Sequence, residues 1–364
     1  MSTAPPRPLS LVTGATGLLG SHIAERLVAR GDRVRALIRP GSDTSFLKSL
    51  SVELAVGDLT DAGSCARAVQ GVDTVYHSAA KVGDWGTWAE FKAACLDGTH
   101  NLANAAADAW VGRFLHISST SAYGHPAEGG PPIDESAPLG VGLWRAWDYY
   151  TRSKVDSERL LWALAESRGL RLTVIRPSWL YGERDRTTLK RLVGRLRAGK
   201  VPLIGPGDNP LSAIYAGNVA DAAILAAGDL GSVGEAYNVT HQGQITQREF
   251  LELFIEAIDA PPLKRRISYR LTFAASFLIE AVARGRRRST PPLITRYATW
   301  LMGRSLSYST AKAESRLGWR PALGNRESIG RSVRWFLDEE RRKGIGDGGR
   351  PIRPGTSSPS SGPD

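Results

Sequence analysis

A chain of 364 residues is long enough for one large domain or two smaller ones, each with a proper core. Its 42% hydrophobic and 23% charged content is ordinary for a globular protein, and two cysteines, Cys65 and Cys95, supply neither a disulfide framework nor a metal-binding spacing. The net charge of +11 is carried mostly by scattered arginines without any zinc-finger, homeodomain or RNA-recognition pattern, which argues against nucleic acid as a partner.

The opening stretch MSTAPPRPLSLVTGATG holds no apolar run of signal-peptide length, so a cytoplasmic location is expected. Leu9–Thr13 reads as a short buried strand, followed by glycines and an amphipathic helix in which Leu19, Ile23 and Leu27 recur every four positions before Gly31. Then come RVRALI and SVELAVGD (strands), SCARAVQG (helix), TVYHSAA (strand), a long helix across Phe91–Ala109, the strand RFLHISS, a helix containing Tyr150, and the strand LRLTVIRP. Strands that alternate with helices predict an α/β fold, a doubly wound parallel sheet covered on both faces. From about Arg184 two basic helices, a Pro/Gly loop and the strand EAYNVT are expected, and after Gln247 the pattern is mostly helical through ESIGRSVRWFLDEERRK. The expected division is a Rossmann-type dinucleotide-binding domain over residues 1–183 with a return strand near 211–240. A smaller, mostly helical C-terminal substrate-binding lid takes 184–210 and 241–343, and the Gly/Pro/Ser-rich tail 344–364 is expected to be disordered.

The run RGRRR at 284–288 follows the apolar helix LTFAASFLIEAVA. A solvated surface run is the first reading; peripheral contact with an anionic membrane is the second.

TGATGLLG places Gly14, Gly17 and Gly20 between a strand and a helix, where glycines permit a tight turn, backbone approach to a pyrophosphate, and close helix–strand packing. The helix N-terminus would face the phosphates with free N–H groups. The second strand ends in Arg39 with no acid until Asp43, which favours the 2′-phosphate of NADP over the 2′-hydroxyl of NAD; a plain solvent arginine, with NAD still in play, is the alternative. In GDLTD, Asp58 is placed to accept a hydrogen bond from the adenine amino group, with Leu59 beside the ring; a turn aspartate is the alternative.

TGATGLLG, GDLTD, VYHSAA, HISSTSAYG, YTRSK, IRPSWLYG and YAGNVADA stand in one order across residues 9–240, and together they resemble the extended short-chain dehydrogenase/reductase family. Within that family AAKVGDWGTWAEF, GDNPLSAIYAGNVADA and TPPLITRYATWLMGRSLSYSTAKAESRLGW are most similar to the 3β-hydroxysteroid dehydrogenase branch. The resemblance implies that Tyr150 is the acid/base, Lys154 its helper, and Ser119 the third member, with Ser118 the alternative. It further implies that Thr16, Gly17, Leu18 and Leu19 together with Ala79, Ala80 and Lys81 line the pyrophosphate and nicotinamide side. Pro177 would border the nicotinamide pocket. The family usually carries Asn three residues before the Gly-Thr pair where Cys95 stands here, which puts its water relay in doubt; Cys95 is either a reactive thiol or a buried inert one. Family precedent also implies a homodimer through the Phe91 and Tyr150 helices.

In DYYTRSKVDSERLL, Tyr150 lies four residues before Lys154 and so shares its helical face; Tyr149 does not, and would be a wall. A phenol of pKa near 10 is a poor base at neutral pH unless a cation stabilises its anion, which is the role open to Lys154. Ser119 would donate to a substrate oxygen as charge develops there. Trp85, Trp88, Trp144, Trp147 and Tyr149 flank this site and suggest an apolar substrate pocket, with packing between the domains as the alternative. The histidines show no metal spacing, and no metal is expected.

The leading expectation is an NADP-linked oxidoreductase interconverting a hydroxyl and a ketone on a small, lipid-like (sterol-like or keto-lipid) molecule. A nucleotide-sugar epimerase is the first alternative, although Leu211-Ser212 stand where such enzymes commonly carry Arg-Asp, and Thr120-Ser121 where dehydratases carry Asp-Glu. A non-catalytic NADP-sensing protein is the second, although such proteins usually lose the Tyr or the Lys.

Overall fold

The computed structural model describes residues 7–144, 146–186, 188–241 and 245–344. Apart from Gly344, the tail expected to be disordered lies outside the described residues.

The first half winds strand by helix. β1 (Leu9–Thr13) leads into α1 (Leu18–Arg30), then β2 (Arg33–Ile38), α2 (Ser45–Ser49), β3 (Glu53–Val56), α3 (Ala62–Ala68) and β4 (Thr74–His77). The helix expected across Phe91–Ala109 is composite. Trp88–Phe91 forms α4, Lys92–Asp97 a π-helical turn, and Gly98–Asp108 α5. β5 (Arg113–Ile117), α6 (Tyr149–Arg168) and β6 (Leu172–Pro177) complete the run.

The second half departs more from expectation. β7 (Trp179–Tyr181) is followed by a single basic helix, α7 (Thr188–Arg197), where two were expected. Gly199, in the left-handed region at φ 61°, turns the chain out of α7, and the residues beyond form β8 (Leu203–Ile204) rather than a second helix. β9 (Ala213–Tyr215) pairs with β7 in a separate two-stranded sheet. After α8 (Ala216–Gly228), β10 (Glu235–Val239) joins the main sheet beside β6. α9 (Gln247–Ile258), β11 (Arg266–Ile267, paired with β8), α10 (Tyr269–Gly285), α11 (Arg296–Gly303), α12 (Ala311–Leu317) and α13 (Asn325–Arg342) follow.

The main sheet has the order β10-β6-β5-β4-β1-β2-β3, with every neighbouring pair parallel. Strands β1, β5 and β6 are buried on both sides, as their continuous apolar runs require, while the edge strand β3 is not. One face packs against α1 and α8 through Ile23, Leu27, Val219 and Ala223; the other packs against α3, α5 and α6 through Cys65, Leu102, Ala106 and Leu161. A third core, with Tyr181, Val193, Phe250, Phe254, Val333 and Phe336, belongs to α7, α9, α13 and the small sheet. The chain runs outward from β1 to β3 and returns to β4, which makes the gap between β1 and β4 the switch point. A ligand crevice opens there, at the C-terminal strand ends.

α6 is unusual in what it buries. Its inner residues include Thr151, Ser153, Lys154, Ser157 and Glu158. A polar face is tolerated in a core only when it is paired. Glu158 accepts from Arg176 Nε at 3.0 and 3.2 Å, from Ser118 Oγ at 2.7 Å and from Trp162 Nε1 at 3.2 Å, and a further bond joins it to Arg176 Nη2. Arg176, near the end of β6, also donates to Tyr123 Oη at 2.8 Å. Glu158 and Arg176 are 0% and 5% exposed at their side chains, so neither charge could stand alone. The pair clamps α6 to the sheet one turn below Lys154. Replacing Arg176→Met leaves Glu158 buried and unpaired, and chemical denaturation is expected to register a loss of about 3–5 kcal/mol.

Candidate active site

The glycine turn after β1 is built to bring backbone close to backbone. Gly14 has φ 67°, and a Cβ there would come within 2.8 Å of the Ala79 nitrogen; a Cβ at Gly20 would come within 2.3 Å of the Gly14 carbonyl oxygen. Gly17 is different. It is exposed at the N-terminus of α1, its Cβ would meet only the Gly14 oxygen at 3.2 Å, and no side chain among the described residues caps the helix. The N–H groups of the first turn therefore open into the crevice between β1 and β4, where a pyrophosphate fits. Thr16 and Leu18 are half-buried at this edge, while Leu19 turns its side chain into the core beside Ile23, leaving only its backbone to a ligand.

Across the crevice, Ala79 N–H donates to Thr13 Oγ1 at 3.3 Å, which ties the β4 loop to β1. Ala79, Ala80 and Lys81 are half-buried along it. The Lys81 ammonium is turned toward α4, 3.6 Å from the Glu90 carboxylate and 5.3 Å from the centre of the Phe91 ring. At the far end Arg39 is exposed, and among the described residues its side chain makes no hydrogen bond or ion pair with protein. Asp58 keeps Oδ1 on the Thr60 N–H and hydroxyl, each at 2.8 Å, and these bonds, with a smaller contribution from the charge of Arg39, hold its carboxyl below the usual range. Leu59 is pinned by Asn101, which donates to its carbonyl at 3.0 Å, and lies so close under Gly98 that a Cβ there would come within 2.9 Å. Pro177 is buried at the end of β6.

The inner face of α6 presents Tyr150, Lys154 and Glu158 at intervals of four residues, a single stripe. Lys154 is buried, and its Nζ donates to the Ile117 carbonyl at 3.2 Å, at the end of β5. The hydroxyl of Ser119, two residues on, lies beside Tyr150 and donates to Ser121 Oγ at 3.2 Å. Ser118 points the other way, into the Glu158–Arg176 pair. Burial pushes the Tyr150 phenol up to about 12, with Ser119 opposing it, and burial also lowers the Lys154 ammonium below its ordinary value. Tyr150 therefore holds its proton at neutral pH.

Cys95 occupies the π-helical turn beside this pair. It is 3% exposed; its Sγ accepts from the Lys81 N–H at 3.3 Å, and its carbonyl accepts from Ser157 Oγ at 2.9 Å. A π turn inserts an extra residue in a helix and is frequent at functional sites.

Sequence patterns missed what the C-terminal half contributes. Tyr297, at the start of α11, stacks edge-on against Tyr150 with ring centres 5.5 Å apart, and its hydroxyl lies 2.9 Å from Ser121 Oγ. A hydrogen-bonded path thus runs from Ser119, beside Tyr150, through Ser121 to Tyr297. Nothing local in TRYATW signals this, because the contact spans more than a hundred residues of chain. A small cavity beside Tyr150 is lined by Asp84, Trp144, Trp147, Asp148, Glu280, Arg296 and Tyr297. Arg296 donates to Glu280 from Nε at 2.9 Å and from its backbone at 2.6 Å, and its guanidinium lies 4.9 Å from the Trp144 ring centre.

The five aromatics expected at the pocket divide. Trp144, stacked flat on His125 at 3.9 Å, and Trp147, stacked on Phe277 at 5.7 Å, line the cavity. Trp147 adopts φ 59°, a costly backbone for an aromatic residue, at the turn into α6. The other three serve packing. Trp85 lies under Arg284 at 4.4 Å and donates to the Arg288 carbonyl at 3.0 Å; Trp88 lies under Arg152 at 3.9 Å; Tyr149 fills the space between Trp88 and Phe91.

The sequence of residues 10–240 matches the model of the NAD dependent epimerase/dehydratase family. The chain belongs to that family. It is accordingly an extended short-chain dehydrogenase/reductase, an NAD(P)-dependent enzyme acting on hydroxyl and keto groups. It is 31% identical to the 2-alkyl-3-oxoalkanoate reductase of Stenotrophomonas maltophilia over 88% of this chain and 97% of the relative. It is 30% identical to the 3 beta-hydroxysteroid dehydrogenase/Delta 5-->4-isomerase of Mycobacterium tuberculosis over 90% of each. Among solved structures, the crystal structure of gox2253 superposes with a TM-score of 0.76 at 29% identity, covering 92% of this chain and 99% of that one.

The family's crevice here rests on a buried histidine. His77, at the end of β4, sits between Thr13 and Thr99 hydroxyls at 2.8 and 2.9 Å, and burial, with the charge of Lys154 adding, pushes its pKa down to about 3. His116 and His22 are likewise held well below the ordinary value by burial. Because the folded value is depressed, the unfolded chain takes up the proton first. Stability is full above the ordinary 6.5 and erodes as pH falls from there toward 3. At about pH 5 His77 alone is expected to cost about 2 kcal/mol, read as a falling denaturation midpoint between neutral and acid buffers.

Proposed function

We propose that the enzyme reduces a neutral, apolar ketone to an alcohol with NADPH, and runs the reverse oxidation at higher pH. The observation that carries this reading is the stripe of Tyr150 and Lys154 on α6, with Ser119 beside Tyr150, at the open end of a crevice that fits a dinucleotide. When bound, a dihydronicotinamide would supply the hydride to the carbonyl carbon. Tyr150 and Ser119 would both donate to the carbonyl oxygen, and Tyr150 would pass its proton to that oxygen as negative charge develops. Held up to about 12, Tyr150 is loaded as an acid at neutral pH. Lys154, anchored on the Ile117 carbonyl, is placed to steady Tyr150 as it loses the proton and to receive ribose hydroxyls. Tyr297 would close the site from the lid side and orient Ser121 and Ser119.

Two relatives named for reduction of an oxo acid and oxidation of a hydroxysteroid support hydroxyl–ketone chemistry. Between those substrate types, the charges beside Tyr150 favour the neutral one. Arg296 is already matched by Glu280, and Asp84 and Asp148 add carboxylates to the same lining, so the cavity lining is hostile to a substrate carboxylate. Trp144 and Trp147 offer apolar walls. Exposed Arg39 supports NADP. A sugar-nucleotide reading has less support: Leu211 is buried and Ser212 donates to the Leu306 carbonyl at 2.9 Å, so these two positions supply no cation to a diphosphate, and Arg320 is the cation lining the cavity they border. A homodimer through α4–α5 and α6 remains part of this proposal.

NADPH oxidation with neutral steroid or long-chain ketones is expected to exceed that with 2-alkyl-3-oxoalkanoates; activity confined to the oxo acids would overturn the substrate assignment. Tyr150→Phe is expected to lower kcat about 10²–10⁴-fold while NADPH still binds by fluorescence titration. Ketone reduction should hold level through neutral pH and decline only as Tyr150 ionises, whereas alcohol oxidation should climb with pH toward that same high value. Arg39→Ala is expected to weaken NADPH and leave NADH unaffected; equal weakening of both would assign the arginine another task.

A further inference from the structure

α10 is amphipathic in the inverted sense. Thr272, Ser276, Glu280 and Ala283 are turned inward, with Ser276 bonded to the Phe273 carbonyl at 2.8 Å and Glu280 held by Arg296. Its outer stripe is Leu271, Leu278, Ile279 and Val282, exposed by 74, 65, 41 and 52%. These positions, separated by seven, eight and eleven residues from the first, fall on one side of a helix. Leu293, 66% exposed, lies a short way beyond. Scattered surface leucines need no explanation; a continuous stripe does.

The ends of the stripe are cationic. Lys264, Arg265, Arg266 and Arg270 stand exposed before it, and Arg286, Arg287 and Arg288 after it. Between residues 260 and 295 the sole acid in the sequence is Glu280, and it is buried. We propose that this face docks onto an anionic phospholipid bilayer, with α10 lying in the headgroup plane, its leucines in the acyl boundary and its flanking cations on lipid phosphates. A second copy of the chain fits worse, because a face-to-face pair would bring two unneutralised cationic rims together. Spanning is excluded for this helix, which is neither long nor apolar enough to cross a bilayer.

The same helix also meets the pocket. Phe273 packs on Trp144 at 5.5 Å, and Phe277, itself 43% exposed, packs on Trp147 at 5.7 Å, so docking would set the wall of the cavity beside Tyr150 against the lipid. The docking itself does not depend on which ketone is reduced.

The test is co-sedimentation of the full chain with extruded vesicles of phosphatidylcholine alone or mixed with phosphatidylglycerol. The protein is expected to bind the phosphatidylglycerol vesicles and not the neutral ones, and to be released by about 0.5 M salt. Leu278→Glu with Val282→Glu, and separately Arg286→Ser with Arg287→Ser, are expected to weaken binding at least tenfold. Circular dichroism and NADPH affinity should stay unchanged. Failure to bind phosphatidylglycerol vesicles, or binding that survives both pairs of substitutions, would overturn the proposal. So would an oligomer in solution that Leu278→Glu dissolves without any vesicle binding, which would assign the face to a second copy.

Discussion

The buried ion pair between Glu158 and Arg176 is the contact on which the geometry of the candidate site depends. A helix whose inner face is serine, threonine, lysine and glutamate gains little from apolar burial, so its seating must come from specific bonds. One charge from α6 meets one charge from β6, and both are completed by Ser118, Tyr123 and Trp162. Tyr150 and Lys154 lie on the turns above, so their height over the sheet follows from where Glu158 is held. Such a pair adds little net stability compared with an apolar substitute, but it permits only one seating of the helix.

Burial then sets the chemistry. In the free enzyme it raises Tyr150 and lowers Lys154 from their ordinary values. The site is therefore an acid poised to give up a proton when negative charge appears beside it. Cys95 fits this picture as a packed side chain whose sulfur and carbonyl are both engaged, in a π turn that brings it against the pair.

The C-terminal half makes the site selective. α11 delivers Tyr297 against Tyr150 and Arg296 against Trp144, while α10 delivers Glu280 and two phenylalanines. Because α10 spends its polar residues on that inner task, its apolar residues are left facing outward, and the lid acquires a second surface from the same seventeen residues.

The sequence alone determined the doubly wound sheet, the glycine turn and the Tyr150–Lys154 spacing. Each is a short-range pattern: alternation of strand and helix, three glycines within seven residues, and a four-residue interval on one helix. It did not separate Ser119 from Ser118, since adjacent residues at a strand end differ only in which way the backbone points them, and Glu158 claims one of them. It grouped five aromatics by proximity to the motif, whereas Arg284, from a distant segment, and Arg152, on the outer side of α6, draw Trp85 and Trp88 respectively into packing. It expected a second basic helix where Gly199 breaks the first. Tyr297, the Glu280–Arg296 pair and the outward stripe of α10 were decided by tertiary structure, because they depend on how helices far apart in the chain are rotated about their own axes. Periodicity can say that a helix has two faces; only packing decides which one meets water.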